Sequence, residues 1–152
     1  MDAYGVTKVE WNTLLSSSDA VLLHCDLSGE TSGLIDASAL GRMKPTALLI
    51  NAARGALVDS RSLHDALHGG SIGGAGLDVF HPENPHDDPW YAKVVQLPNV
   101  VVSSHRAFLS AEALRSSRRR TAEAIFDVLT TGRCPRVGVV TAPGDRRALC
   151  DN

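Results

Sequence analysis

The chain lacks any apolar run of the roughly 20 residues that a membrane-crossing helix requires. Its first residues, Met1-Asp2-Ala3-Tyr4, have neither the basic nor the apolar region of a secretory signal. An excess of charge of one sign is also missing. The formal net charge is −2, which excludes a strong electrostatic pull toward nucleic acid or a membrane surface. Cysteine is scarce: Cys25, Cys134 and Cys150 lie far apart and are odd in number. They give neither a disulfide framework nor a Cys-x-x-Cys metal pair, and a reducing, cytoplasmic setting is the expectation.

What is present is 152 residues, enough for one domain that buries roughly 70% of its unfolded surface. Residues 6–9 are a candidate edge strand, and residues 10–17 a helix with Trp11, Leu14 and Leu15 on one face. Residues 20–23 are apolar enough to be a strand buried on both faces. Asp36 is expected to cap a short helix that ends near Met43, before Pro45. Residues 47–50 form the next strand. Ser60 caps a helix through Leu63, Ala66 and Leu67 that Gly69-Gly70 ends. Residues 75–79 and 100–102 are strands on either side of a polar, proline-rich stretch, 82–98, anchored by Trp90 and Tyr91. Ser110 caps a long helix to about Leu129, stopped by Thr131-Gly132. Residues 1–140 then make the domain, and 141–152 are expected to be a disordered tail. Strands alternating with helices imply a mainly parallel α/β sheet.

Ligands bind such sheets at the carboxyl ends of the strands. Apolar Leu48-Leu49-Ile50 runs into Asn51-Ala52-Ala53-Arg54-Gly55, which sets one guanidinium just past a strand. A planar cation there suits bidentate capture of a carboxylate. An isolated Arg-Gly would read as a surface arginine in a strand–helix turn, but two further segments change that. Gly74-Ala75-Gly76-Leu77-Asp78-Val79-Phe80-His81-Pro82-Glu83 leads a strand into two carboxylates, Asp78 and Glu83. Val100-Val101-Val102-Ser103-Ser104-His105 ends a strand in a histidine. Arginine, carboxylate and histidine on one rim make an anion clamp with an acid/base pair. Such a set can reduce a 2-oxo acid.

These segments, with Ser18-Asp19-Ala20-Val21-Leu22-Leu23-His24-Cys25, Met43-Lys44-Pro45 and His105-Arg106-Ala107-Phe108-Leu109-Ser110-Ala111-Glu112-Ala113-Leu114, resemble the D-isomer-specific 2-hydroxyacid dehydrogenases. They keep the family's order from about residue 4 to residue 140, and the last stretch looks like the lactate and phosphoglycerate dehydrogenase end of the family. The resemblance implies NAD as cofactor, with NADP not excluded, and a small 2-hydroxy or 2-oxo acid as substrate. It implies Arg54 as the substrate-binding arginine, His105 as the proton donor and Glu83 as the glutamate that keeps the histidine protonated. Cofactor contacts would fall on Cys25, Asp26, Thr31, Ala52, Ala53, Arg54, Asp78 and His105, with Asp78 at the nicotinamide end. Asp26 departs from the family, which usually has proline there, and a carboxylate beside a pyrophosphate would repel it.

The chain contains no G-x-G-x-x-G. Its closest cluster, Gly69-Gly70-Ser71-Ile72-Gly73-Gly74-Ala75-Gly76, precedes a strand and has the wrong spacing, so it reads as a helix stop and tight turn. The fold class expected is therefore α/β: a partial Rossmann-type parallel sheet with flanking helices, lacking the first βαβ unit. Residues 20–23 would become an exposed edge strand, which invites pairing with another chain. A homo-oligomer or a missing amino-terminal partner segment is the expected remedy.

Other constellations are weaker. His64 and His68 have the i, i+4 spacing of a metal pair but no third ligand in sequence, and a solvated helix face is the plainer reading. His81, His86, Asp87 and Asp88 are read as loop polarity, Arg115 with Arg118-Arg119-Arg120 as helix solvation, and no metal is expected. Three functions compete. The first is an NAD-dependent oxidoreductase acting on the CH–OH group of a small D-2-hydroxy acid, in truncated form. The second is a catalytically incompetent remnant or partner module needing another segment or chain. The third, a scaffold reusing the fold, does not require Arg54, Glu83 and His105 together.

Overall fold

The computed structural model of the chain describes residues 5–132. Its elements alternate as the apolar runs require: α1 (Trp11–Ser17), β1 (Ala20–Leu23), α2 (Ala37–Leu40), β2 (Leu48–Asn51), α3 (Ser60–His68), β3 (Gly74–Leu77), α4 (Tyr91–Val94), β4 (Val100–Val102) and α5 (Ala111–Thr131). The four strands form one parallel sheet in the order β1-β2-β3-β4. Register places Leu22, Ile50, Gly76 and Val101 in one row, and Leu23, Asn51, Leu77 and Val102 in the next.

Spatial order follows chain order, so every crossover advances the same way across the sheet. Right-handed crossovers advancing in one direction put all their helices on one face. Burial follows that rule. Val21, Leu23, Leu49, Asn51, Ala75 and Leu77 are buried, whereas Leu22 and Val101 on the opposite face are 56% and 74% exposed. The expectation that residues 20–23 would be buried on both faces is corrected here: β1 is an edge strand covered on one side. The core lies between sheet and helices, with Leu15, Ile35, Leu40, Leu57, Leu63, Ile72 and Val94 all but fully enclosed. α3 packs against both α2 and α4.

Local chemistry sets the element ends. Asp36 caps α2, its carboxylate accepting from Ala39 N at 2.8 Å, but α2 ends at Leu40 and the chain turns before Met43. The cap of α3 is Asp59 rather than Ser60. Its carboxylate accepts from Ser62 N at 2.9 Å, and a charged acceptor complements the helix dipole. The strands expected at residues 47–50 and 75–79 lie at Leu48–Asn51 and Gly74–Leu77, because parallel pairing fixes their register. Residues 6–9 form no strand and pair with none of the described strands, and Val6 and Val9 are exposed.

Within the stretch 82–98, Tyr91 is the anchor. It is buried, its ring meets Phe80 edge-on at 5.2 Å, and its hydroxyl donates toward Gly55 O at 3.2 Å and Val58 O at 3.4 Å. Burial, helped by Asp88 and Asp59, pushes the phenol well above its ordinary range, so it stays a neutral donor.

The chain divides into two units, Met1–Ala107 with the sheet and Phe108–Asn152 with α5. In the second, Ser110 caps α5 by accepting from Ala113 N at 3.0 Å. Gly132 closes it at φ +67°, donating to Val128 O. The expected tail at 141–152 lies outside the described residues.

Gly55 is where the turn after β2 touches the chain leaving β3: a Cβ there would overlap the Phe80 carbonyl and the His81 nitrogen. Both are backbone, so neither can rotate aside. Gly55→Ala is expected to destabilise by about 3 kcal/mol, at the upper end of ordinary overpacking. A lowered urea midpoint at unchanged slope, followed by circular dichroism, checks this; an unaltered midpoint would mean the contact is looser than it stands.

Candidate active site

Each strand delivers its polar group through a turn that buried side chains define. β2 ends in Asn51, only 1% exposed. Its Oδ1 accepts from Ala53 N at 3.1 Å and its Nδ2 donates to Arg54 O at 2.9 Å. This closes the turn over residues 51–54 and brings Arg54 to the surface, where Nη1 donates to Ala53 O at 2.7 Å.

β3 and β4 are joined beyond their ends by Asp78. Its N–H donates to Asn51 O and its carbonyl accepts from His105 N, both at 2.9 Å. The carboxylate, 6% exposed, accepts from Ser103 Oγ, from Arg106 N at 2.8 Å and from Ala107 N at 2.9 Å. Burial raises the pKa of this carboxyl. The hydrogen bonds from Ser103, Ala107 and Arg106, with the field of His105, outweigh it and hold Asp78 below its ordinary value of 3.8. The turn so clamped is strained, since His105 sits at φ +53°. That left-handed geometry costs a non-glycine residue ~1–2 kcal/mol, and the hydrogen bonds to Asp78 offset it.

On that turn the His105 Nδ1 lies 3.1 Å from Glu83 Oε1. The two side chains are 45% and 84% exposed, so solvent screens the pair and its worth is orientation rather than stability. The contact of Nδ1 with a carboxylate fixes the orientation of the imidazole ring. A cleft of about 540 Å³ opens beside them, walled by Val79, Phe80 and Val102 together with Asp78, Glu83 and His105.

The candidate residues therefore divide. Glu83 and His105 are in contact, and Asp78 builds the turn under them. Arg54 lines a separate cleft of about 240 Å³ with Cys25, Asp26, Ala52 and Ala53. Cys25 is half-buried and Asp26 exposed at the end of β1. Thr31 sits at the foot of that loop, its hydroxyl donating to Asp26 O and accepting from Ser28 N, both at 2.7 Å. Two residues missed in the sequence, Asn51 and Ser103, set the turns. Their signal was a polar side chain directly after an apolar strand.

An open parallel sheet with flanking helices, and with His105, Glu83 and Arg54 beyond the carboxyl ends of its strands, is a Rossmann-like α/β domain. Residues 1–107 match the family described as D-isomer specific 2-hydroxyacid dehydrogenase, NAD binding domain, and the chain belongs to that family. It is 34% identical over 140 residues to 2-hydroxyacid dehydrogenase homolog 2 of Schizosaccharomyces pombe, an alignment covering 86% of this chain and 42% of the relative. Against glycerate dehydrogenase of Methylorubrum extorquens, identity is 44% over 107 residues, covering 70% and 34%. Among solved structures, the NAD-complexed D-isomer specific 2-hydroxyacid dehydrogenase of Lactobacillus delbrueckii ssp. bulgaricus superposes with a TM-score of 0.78. There the identity is 33%, over 84% of this chain and 42% of that one. The chain thus spans less than half the length of these relatives. Among the described residues no helix is long and apolar enough to cross a membrane.

Asp78 gives the site its acid sensitivity. Its depressed carboxyl pKa contributes stability that is complete above 3.8 and lost as pH falls below it. Asp78→Asn is expected to cost about 1–3 kcal/mol at neutral pH through under-satisfied donors. The gap between variant and parent should close as the parent acidifies below its ordinary carboxyl range. Urea midpoints measured across the acid range test this, and a gap that does not change with pH would contradict it.

Proposed function

We propose that this chain is the proton-transferring part of a nicotinamide-dependent oxidoreductase that interconverts a small D-2-hydroxy acid and its 2-oxo acid. The observation that carries the reading is the His105–Glu83 contact of 3.1 Å beside an apolar-walled cleft at the sheet's carboxyl rim. Family membership and the named activities of the relatives support it. In reduction, Arg54 swings away from Ala53 O to bind the substrate carboxylate, and the Nε2 of His105 gives a proton to the carbonyl oxygen. Glu83 holds the ring by Nδ1 throughout. Oxidation reverses the proton's path.

NAD is the cofactor proposed, and NADP is not distinguished. When bound, it supplies the hydride acceptor or donor. The residues present fit its nicotinamide end: Val79, Phe80 and Val102 offer an apolar wall next to His105, and Ala52 and Ala53 offer backbone at the end of β2. The carboxylate of Asp78 is already held by three donors, so its part is to build the turn. The pyrophosphate end has less. These 152 residues contain no G-x-G-x-x-G turn, and Asp26 brings a carboxylate to the second cleft. Losing about three charge-assisted hydrogen bonds amounts to roughly 5–9 kcal/mol, which puts cofactor affinity in the millimolar range or weaker.

A second reading follows from the same fact and from the open β1 edge: the chain acts with a further segment or a second chain that completes the cofactor site. Steady-state NADH oxidation with short 2-oxo acids, at high cofactor concentration, tests both. His105→Gln is expected to lower kcat by about 10²–10⁴, with a much smaller effect on NADH binding. Equal turnover by parent and variant would remove His105 from the chemistry. Tight NADH binding by the chain alone would remove the need for a completing segment.

A further inference from the structure

The outer face of α3 carries a pair of imidazoles that the oxidoreductase reading does not use. His64 and His68 are one helical turn apart, and their rings lie nearly parallel, 9° between planes and 5.6 Å between centroids. Two imidazole nitrogens at ~2.0–2.1 Å from a tetrahedral ion place their ring centroids about 5 Å apart. The separation suits one ion, and a turn of the exposed His68 ring about its Cβ–Cγ bond would bring the in-plane lone pairs of the parallel rings to a common point.

His64 is already held for the purpose. Its Nδ1 lies 3.0 Å from the Asp65 carboxylate, which places the proton there and makes Nε2 the ligating nitrogen. A carboxylate behind a histidine in this way orients metal-ligating imidazoles. Trp90 packs against the same ring at 5.3 Å between centroids, and the His64 side chain is only 17% exposed. The helix beneath is rigid, anchored by the Asp59 cap and by buried Leu63, Ala66 and Leu67. His68 is exposed at its last position.

We propose that His64 and His68 form a two-imidazole chelate for a divalent transition-metal ion, with water completing the coordination. No group of three or more metal-ligating side chains gathers among the described residues, so this is an exchangeable surface site and not a structural one. Neighbouring charge sets its strength. Arg61 and Lys93 flank Trp90 at 5.3 and 4.3 Å from the ring and oppose a cation, while Asp65 favours it. Ions with the strongest preference for imidazole are selected, Cu²⁺ before Ni²⁺ and Zn²⁺. The inference does not rest on the oxidoreductase reading.

Trp90 is a built-in reporter, because a paramagnetic ion on His64 quenches an indole in contact with that ring. Trp11 is the only other tryptophan, so the untagged Trp11→Phe chain isolates the signal. Titration with CuCl₂ at neutral pH is expected to quench Trp90 saturably, with one ion per chain and half-saturation in the micromolar range. His68→Ala, at an exposed helix end where folding is not at stake, should raise the half-saturation by about tenfold or more, as expected when a chelate becomes a single ligand. His86→Ala, at an exposed position outside the pair, should leave it unchanged. Absent quenching, or equal half-saturation in parent and His68→Ala, would overturn the proposal.

Discussion

One buried carboxylate holds the functional rim together. Asp78 ends β3, and its oxygens draw in the hydroxyl of Ser103 and the N–H groups of Arg106 and Ala107. Those bonds, with the one from His105 N to Asp78 O, offset the left-handed strain at His105. Backbone strain persists only where surrounding structure over-determines it, and here it presents an imidazole to a cleft. The His105–Glu83 pair lies too far in solvent to organise itself. Its geometry is inherited from the turn beneath, and the turn from Asp78.

The sheet imposes a second constraint. Four parallel strands in chain order put their crossover helices on one side, and Leu22, Leu48 and Val101 on the other side are exposed. That row runs Leu22, Ile50, Gly76, Val101, with Leu48 beside it, and it meets β1, an edge strand among the described residues. An apolar face continuous with an open edge favours association. The relatives are more than twice as long as the stretch they share with this chain, and the completing-segment reading draws on the same two features.

Much of this was legible in the residues. Short apolar runs marked all four strands, and Asp36, Ser110 and the glycines after His68 and Thr131 marked helix ends by their capping chemistry. The pairing of Glu83 with His105 followed from their places at neighbouring strand ends. What stayed hidden depended on three-dimensional neighbours. Residues 20–23 read as doubly buried because apolar composition cannot tell a central strand from an edge strand with one bare face. Asp59 displaced Ser60 as the cap because the choice between adjacent polar residues depends on where helical backbone begins. Asp78 carried a cofactor role in the sequence reading. Its three backbone and hydroxyl donors come from residues some 25 or more positions later, which no local pattern reveals. Arg54 shared a rim with His105 in that reading, yet its side chain turns back on Ala53 and lines a different cleft.

The central claim is that Asp78 places His105 against Glu83. Its most direct test is the imidazole ¹⁵N spectrum of His105 in the folded chain, compared between parent, Asp78→Asn and Glu83→Ala. If Asp78 sets the turn, the Asp78→Asn spectrum should move toward that of Glu83→Ala while far-ultraviolet circular dichroism stays native. A His105 spectrum in folded Asp78→Asn identical to the parent would show that the turn holds without the carboxylate, and would contradict the account.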